Sequence, residues 1–235
     1  MTLPFSPIAG PQSLSDIAYQ QIRDAIVQGR LESGRRLVYR TVAEEFGISP
    51  TPVRDAIQRM VSEGALQLDE RGVACVPTIT AGTYIEIVNL RVTLEGTAAA
   101  VAAGRHDREA IAGELAAIHE RLVRCKADRL VEQALFENEY FHRELVASAR
   151  MPVLGELVRS LWLRCGPSLR LLYTDGFQPL SVHPHLRVIE AVRAGDAEAA
   201  RRAVQQDLWH AGLHILSQIE PGRVEPAWLA GAREG

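Results

Sequence analysis

Apolar residues recur along this chain with a helical period almost from end to end, and the recurrence is interrupted in only one place. From Leu14 to Gln28, Ile17, Ala18, Ile22, Ala25 and Ile26 share one helix face, and Gly29 closes the segment. Leu31 and Leu37 flank a polar turn, Glu32 to Arg36. A second short helix follows, with Val42, Ala43 and Phe46 on one side and Gly47 as its stop. A third begins near Ser49-Pro50-Thr51-Pro52. Ser49 or Thr51 is available as its cap, and Pro52 suits the first helical position, where a missing N–H costs nothing. Val53, Ile57 and Met60 or Val61 form its buried stripe. Then the period changes from 3.6 to 2. Ala65 to Leu68 and Val73 to Val76 read as two short strands joined by the polar turn Asp69-Glu70-Arg71-Gly72.

Beyond Pro77 to Thr80, which read as a linker, strand signals vanish and Ala and Leu dominate. The periodicity predicts helices over about 82–103, 107–126, 129–149, 152–173, 180–194 and 196–219, separated by short breaks such as Arg150-Met151-Pro152 and Gly195. Helices this closely connected pack as antiparallel neighbours. The fold class expected is therefore mostly α. A disordered arm over 1–12, rich in proline, precedes an N-terminal winged helix-turn-helix over 13–78. An antiparallel α-helical bundle occupies 79–220, and a loose tail 221–235.

Composition narrows the function classes. The 235 residues are 47% hydrophobic, and no apolar run reaches the length of a bilayer span. The first twelve residues lack the basic start and apolar core of a signal peptide. Cys75, Cys125 and Cys165 are odd in number and far apart, which suggests neither a disulfide framework nor a zinc knuckle. A cytoplasmic protein is expected. The net charge of −3 gives no general attraction to nucleic acid. Residues 1–78 carry eight Arg against nine Asp plus Glu, so DNA binding would depend on a local patch. Lys126 is the sole lysine in an Arg-rich chain.

Two short helices around a glycine turn, followed by a hairpin, are the parts of a winged helix-turn-helix; the plainer reading is a small helical subdomain packed against something else. On the former reading the third helix enters the major groove by its N-terminal end. Thr51, Arg54 and Gln58, opposite its apolar stripe, are then the groups that reach bases and phosphates.

The run Thr41-Val42-Ala43-Glu44-Glu45-Phe46-Gly47-Ile48-Ser49-Pro50-Thr51-Pro52-Val53-Arg54-Asp55-Ala56-Ile57, with Glu63 to Leu66 and Arg71-Gly72-Val73, resembles the winged-helix domain of the GntR family of bacterial repressors. The resemblance implies DNA contacts from Arg40, position 50, Arg54 and the wing-tip Arg71, with Pro50 standing where an Arg is common. Three later motifs resemble the FCD ligand-sensing domain of the FadR-type branch: Leu90 to Gly96, Phe141 to Leu145 and Ala191 to Ala200. Together the matches run from about 14 to 218.

Several polar side chains fall on inner helix faces of this second segment. Asn138 and His142 lie one turn apart on a face shared with Leu135 and Leu145. His185 shares a stripe with Val182, Ile189 and Val192, whereas His183 falls among Leu186, Arg187 and Glu190. Asp207 borders the stripe of Val204, Leu208, Ala211 and Ile215. Such groups are costly to bury unless they meet one another, a ligand or a metal. The resemblance implies a metal held at Asn138, His142, His185 and position 207, where Asp207 replaces the usual His. Two imidazoles, a carboxylate and an amide suit zinc, nickel or manganese, with open positions for water or a small carboxylate effector. The competing reading is core histidines hydrogen bonded to Asn138 and Asp207. Arg91 shares a face with Ile87, Leu94 and Ala98; it is a candidate carboxylate anchor or an internal partner of Glu95. Trp209, His210 and His214 read as packing or surface residues, although either His could replace a missing ligand.

The leading expectation is a homodimeric, ligand-responsive repressor that binds a pseudo-palindromic operator of double-stranded DNA and no membrane. A metal sensor and a metal-dependent hydrolase are the alternatives. Against the hydrolase, no general base stands beside the cluster.

Overall fold

The computed structural model describes residues 13–173 and 183–222. The arm over 1–12 and all but the first two residues of the tail lie outside the described residues, as does the expected helix start at 180–182. The N-terminal unit holds α1 (Leu14–Val27), β1 (Arg36–Leu37), α2 (Tyr39–Phe46), α3 (Pro50–Ser62), β2 (Gln67–Leu68) and β3 (Ala74–Cys75). Ser13 caps α1 by accepting the Asp16 N–H at 3.1 Å. Gly47 ends α2 in the left-handed region at φ 64°, a conformation that glycine adopts without steric cost. The start of α3 differs from expectation. Ser49 is the N-cap by backbone but makes no side-chain cap bond, and Pro50 rather than Pro52 occupies the first helical position. Thr51 is thus inside the first turn, not before it.

Val53, Ala56, Ile57 and Met60 line the buried face of α3 against Ala18, Ile22 and Ile26 of α1, together with Ala43 and Leu66. The strands form one antiparallel sheet in the order β1-β3-β2, with Arg36 and Gln67 both opposite Cys75. The turn between β2 and β3 is organised by Asp69. Its carboxylate accepts the N–H groups of Arg71 and Val73 at 2.9 Å each and lies 2.7 Å from Arg36 Nε.

The second unit is helical: α4 (Ala81–Ala103), α5 (Arg108–Ala127), α6 (Val131–Ser148), α7 (Pro152–Leu169), α8 (Pro184–Ala194) and α9 (Ala197–Ile219). The segment expected as one helix over 152–173 tightens to a 3₁₀ turn at Arg170–Tyr173, three residues after Pro167, which has no N–H to donate. Thr80 and Asp196 cap α4 and α9 by accepting the N–H groups of Thr83 and Ala199. α4 packs along α9, α5 against α6 and α8, and Phe141, Leu145, Leu115 and Ile215 are fully buried among them.

The two units share core. Leu163 of α7 packs inside the N-terminal cluster with Ile26 and Val27. Beside it, Arg23 of α1 and Glu139 of α6, 3% and 2% exposed, form a buried ion pair.

Candidate functional site

Arg40, Thr51, Arg54, Gln58 and Arg71 are all exposed. Arg40 lies in the first turn of α2, Thr51, Arg54 and Gln58 lie along the outer side of α3, and Arg71 sits at the turn between β2 and β3. The five therefore come from the three elements that a winged domain presents to a duplex. Arg54 Nε lies 3.8 Å from Asp55 Oδ1, both side chains half exposed, so the guanidinium is loosely held and available.

In the helical unit the inner polar residues converge. His142 stands between two carboxylates: Nδ1 is 2.8 Å from Glu95 Oε2 and Nε2 is 3.1 Å from Asp207 Oδ2. The Glu95 contact has the distance of an ion pair but not the direction of a hydrogen bond, so both atoms lack a hydrogen-bond partner. Glu95 Oε1 takes Arg91 Nε at 2.7 Å and Trp162 Nε1 at 3.1 Å, and the Arg91 guanidinium lies over the Trp162 ring at 3.8 Å. Arg91 is thus the internal partner of Glu95, yet its second terminal nitrogen is buried and unpartnered. His185 Nε2 is 3.8 Å from Asp207 Oδ2, and neither ring nitrogen of His185 has a hydrogen-bond partner. Asn138 borders the same cavity, of about 40 Å³, with Arg91, His142, Trp162 and Asp207.

The charges follow from this packing. Burial works against a charged His142, but the Glu95 carboxylate and then Asp207 override it and hold the imidazole up at about 9. Burial opposes charge on Glu95 as well, and Arg91 and His142 nevertheless bring its carboxyl down to about 2. Asp207 is held well below the carboxylate range by His142, with help from His185 and against its own burial. His185 goes the other way, its desolvation pushing it far down despite Asp207.

His142, His185 and Asp207 form one of two groups among the described residues whose donor atoms all lie within 4.8 Å of one another. The second is His119, His183 and His185, which the helix faces did not indicate. His183 was expected to point outward; it is the half-buried N-cap of α8, accepting the His185 N–H, and its Nε2 lies 2.9 Å from Lys126 Nζ. A residue just ahead of a helix has no helix face, so the periodicity misplaces it. His119 was legible, since it lies beside Leu115, Ile118 and Leu122 on the inner stripe of α5. Glu95 was read only as a partner of Arg91. His210 is exposed and His214 half buried; neither belongs to either group.

Residues 14–76 match the model of the bacterial regulatory proteins of the gntR family, and residues 86–209 match the FCD domain. The chain belongs to the GntR family. It is 31% identical to the HTH-type transcriptional regulator McbR of Escherichia coli over 76% of this chain and 81% of that protein. It is also 31% identical to the gluconate operon transcriptional repressor of Bacillus subtilis, over 91% and 86% of the two chains. Among solved structures, E. coli McbR/YncC superposes with a TM-score of 0.79 at 28% identity, covering 88% of this chain and 99% of that one. Relatives of this GntR chain are transcriptional regulators, so the hydrolase alternative falls. No described helix is long and apolar enough to cross a membrane.

Proposed function

We propose that this GntR-family regulator is a cytoplasmic, homodimeric repressor whose FCD domain senses a small organic acid through a divalent metal ion. The observation that carries this reading is the trio of buried His142 and His185 with half-buried Asp207, in which both His185 nitrogens are unpartnered. Buried polar atoms are nearly always satisfied, so unpaired nitrogens beside a carboxylate suit a cation as their partner. His142, His185 and Asp207 would hold zinc, nickel or manganese, with Asn138 beside them. When bound, the ion offers open positions to a carboxylate, and the free Arg91 nitrogen is a second anchor for it. Repression is the activity named for the gluconate operon relative, and it is carried over here as part of the proposal.

The route from sensor to DNA runs through neighbours in sequence. On α6, Asn138 and His142 face the cavity while Glu139 pairs with Arg23 of α1, and α1 packs on the recognition helix α3. On α7, Trp162 touches Glu95 and Leu163 enters the N-terminal core. A shift of α6 or α7 on binding therefore moves α1. The effector changes DNA affinity only by the difference in its affinity for the two arrangements.

One observation favours a second reading, the ion itself as effector: a cavity of about 40 Å³ holds an ion with a water but no organic acid. Operator binding titrated with Zn²⁺ alone and with Zn²⁺ plus small carboxylic acids separates the two. Replacing His142 and His185 together by Ala should abolish either response while leaving operator affinity near that of wild type. A double variant that still responds would place the sensor elsewhere.

A further inference from the structure

His185 belongs to both donor groups, and the second has not entered the reading above. His119 lies on α5, which packs against α8; His183 caps α8, and His185 stands in its first turn. The three rings are close: centroids are 4.9 Å apart for His119 and His183, 4.5 Å for His183 and His185, and 5.6 Å for His119 and His185. His119 and His185 are 6% and 0% exposed. His119 Nδ1 and both nitrogens of His185 are buried without a hydrogen-bond partner.

The ring of His185 is stacked on Phe141, 3.7 Å between centroids and 5° from parallel. An imidazole binds a metal through lone pairs in its own plane. Stacking on a ring face therefore orients His185 while leaving the in-plane lone pair of its unprotonated nitrogen open. His142 is differently placed, since a carboxylate faces each of its nitrogens. On the His119 side, His119 Nδ1 and the ring nitrogens of His185 are the ones without a hydrogen-bond partner.

We propose that His119, His183 and His185 form a second seat for a divalent transition-metal ion, sharing His185 with the first and binding the ion more tightly. Three imidazoles and an open position are a recurrent donor set for such ions, at nitrogen–metal distances near 2.0–2.1 Å. Ligand nitrogens about such an ion stand roughly 3.3–3.5 Å apart, so a trio within 4.8 Å needs only small side-chain rotations to close. Lys126 Nζ, 2.9 Å from His183 Nε2, stands where an ion bound to that nitrogen would sit. The chain's only lysine is thus a built-in competitor for the seat. This inference rests on the metal reading of the preceding subsection.

Titration of the full chain with Co²⁺, followed by visible absorption that reports ligand number and type, tests it. One Co²⁺ per chain is expected. His119→Ala and His183→Ala should each raise its Kd about tenfold or more, since even outer-shell changes cost 10- to 100-fold, and should alter the absorption band. Lys126→Met should bind Co²⁺ several-fold more tightly than wild type, a direction that damage to the fold does not produce. Thermal melts identify any His variant that fails to fold, in which case Lys126→Met alone decides. Bound Co²⁺ with Kd and spectrum unchanged in all three variants overturns the second seat and leaves the first standing. Wild type that takes up no Co²⁺ overturns both.

Discussion

Single side chains decide two outcomes at the DNA-facing surface. Arg54 is exposed on the outer side of α3 with one loose ionic neighbour, so its fork is free for a two-point contact with a guanine edge. Arg54→Ala should cost ~1–3 kcal/mol of operator binding if that contact forms. Equal affinity of wild type and variant for operator and random DNA in a mobility-shift titration would reject the assignment. Asp69 contacts no base on this reading, but it shapes the turn that carries Arg71. Hydrogen bonds from the Val73 and Arg71 backbone, and then the Arg36 charge, hold its carboxyl below the usual value against some desolvation. The sign follows from a depressed acid: the folded wing is favoured above the unfolded carboxyl value near 3.9 and loses that support as pH falls through the lower folded one. Asp69→Ala should remove the support at all pH, weakening operator binding with little change in the thermal midpoint. A variant with unimpaired affinity would show that the wing tip needs no such brace.

Between elements, the contact of α7 with α1 is one that the helix patterns alone could not have revealed. Gly166 lies so close to α1 that a Cβ there would stand 3.1 Å from Ile26 Cγ2 and 3.3 Å from the Ile26 carbonyl oxygen. Alanine improves helix propensity by about 1 kcal/mol over glycine, but crowding against backbone commonly costs ~1–3 kcal/mol. Gly166→Ala should therefore lower the melting temperature by prising α1 from α7, and a variant that melts higher than wild type would refute the close contact. The apolar periods placed α4 to α6 and α9 within a few residues of their observed ends, because each buries one long stripe. They failed where the helix was not the unit that mattered: His183 sits ahead of its helix, and the 3₁₀ turn over Arg170–Tyr173 follows a proline that the stripe ignores.

Across the whole molecule, the Arg23–Glu139 pair ties α1 of the DNA-binding unit to α6 of the proposed sensor. Removing one member of a buried pair typically costs 3–5 kcal/mol. Arg143, 3.2 Å from Glu139, should hold the cost of Arg23→Ala near or below the lower end. The same variant should blunt the effect of metal and acid on operator binding, because α1 loses its tie to α6. A variant that keeps the full response would mean that coupling runs through α7 alone. The dimer proposed from the symmetry of such regulators is checked by sedimentation of the full chain at micromolar concentration, where a monomer would count against it.

Local rules were enough for what depends on neighbours along the chain. The helices, their glycine ends, the wing and the inward faces of Asn138, His142 and His185 follow from spacing and backbone preference, which act over one or two turns. The partners of those faces were another matter. That Glu95 rather than solvent meets His142, that Asp207 faces its other nitrogen, and that His119 and His183 gather at His185 depend on how α4, α5, α6, α8 and α9 pack. Charge and the placement of donor atoms are set by distances within 4.8 Å between residues 47 to 66 positions apart. Periodicity within one helix carries no record of such distances; only the packed bundle brings the donors together.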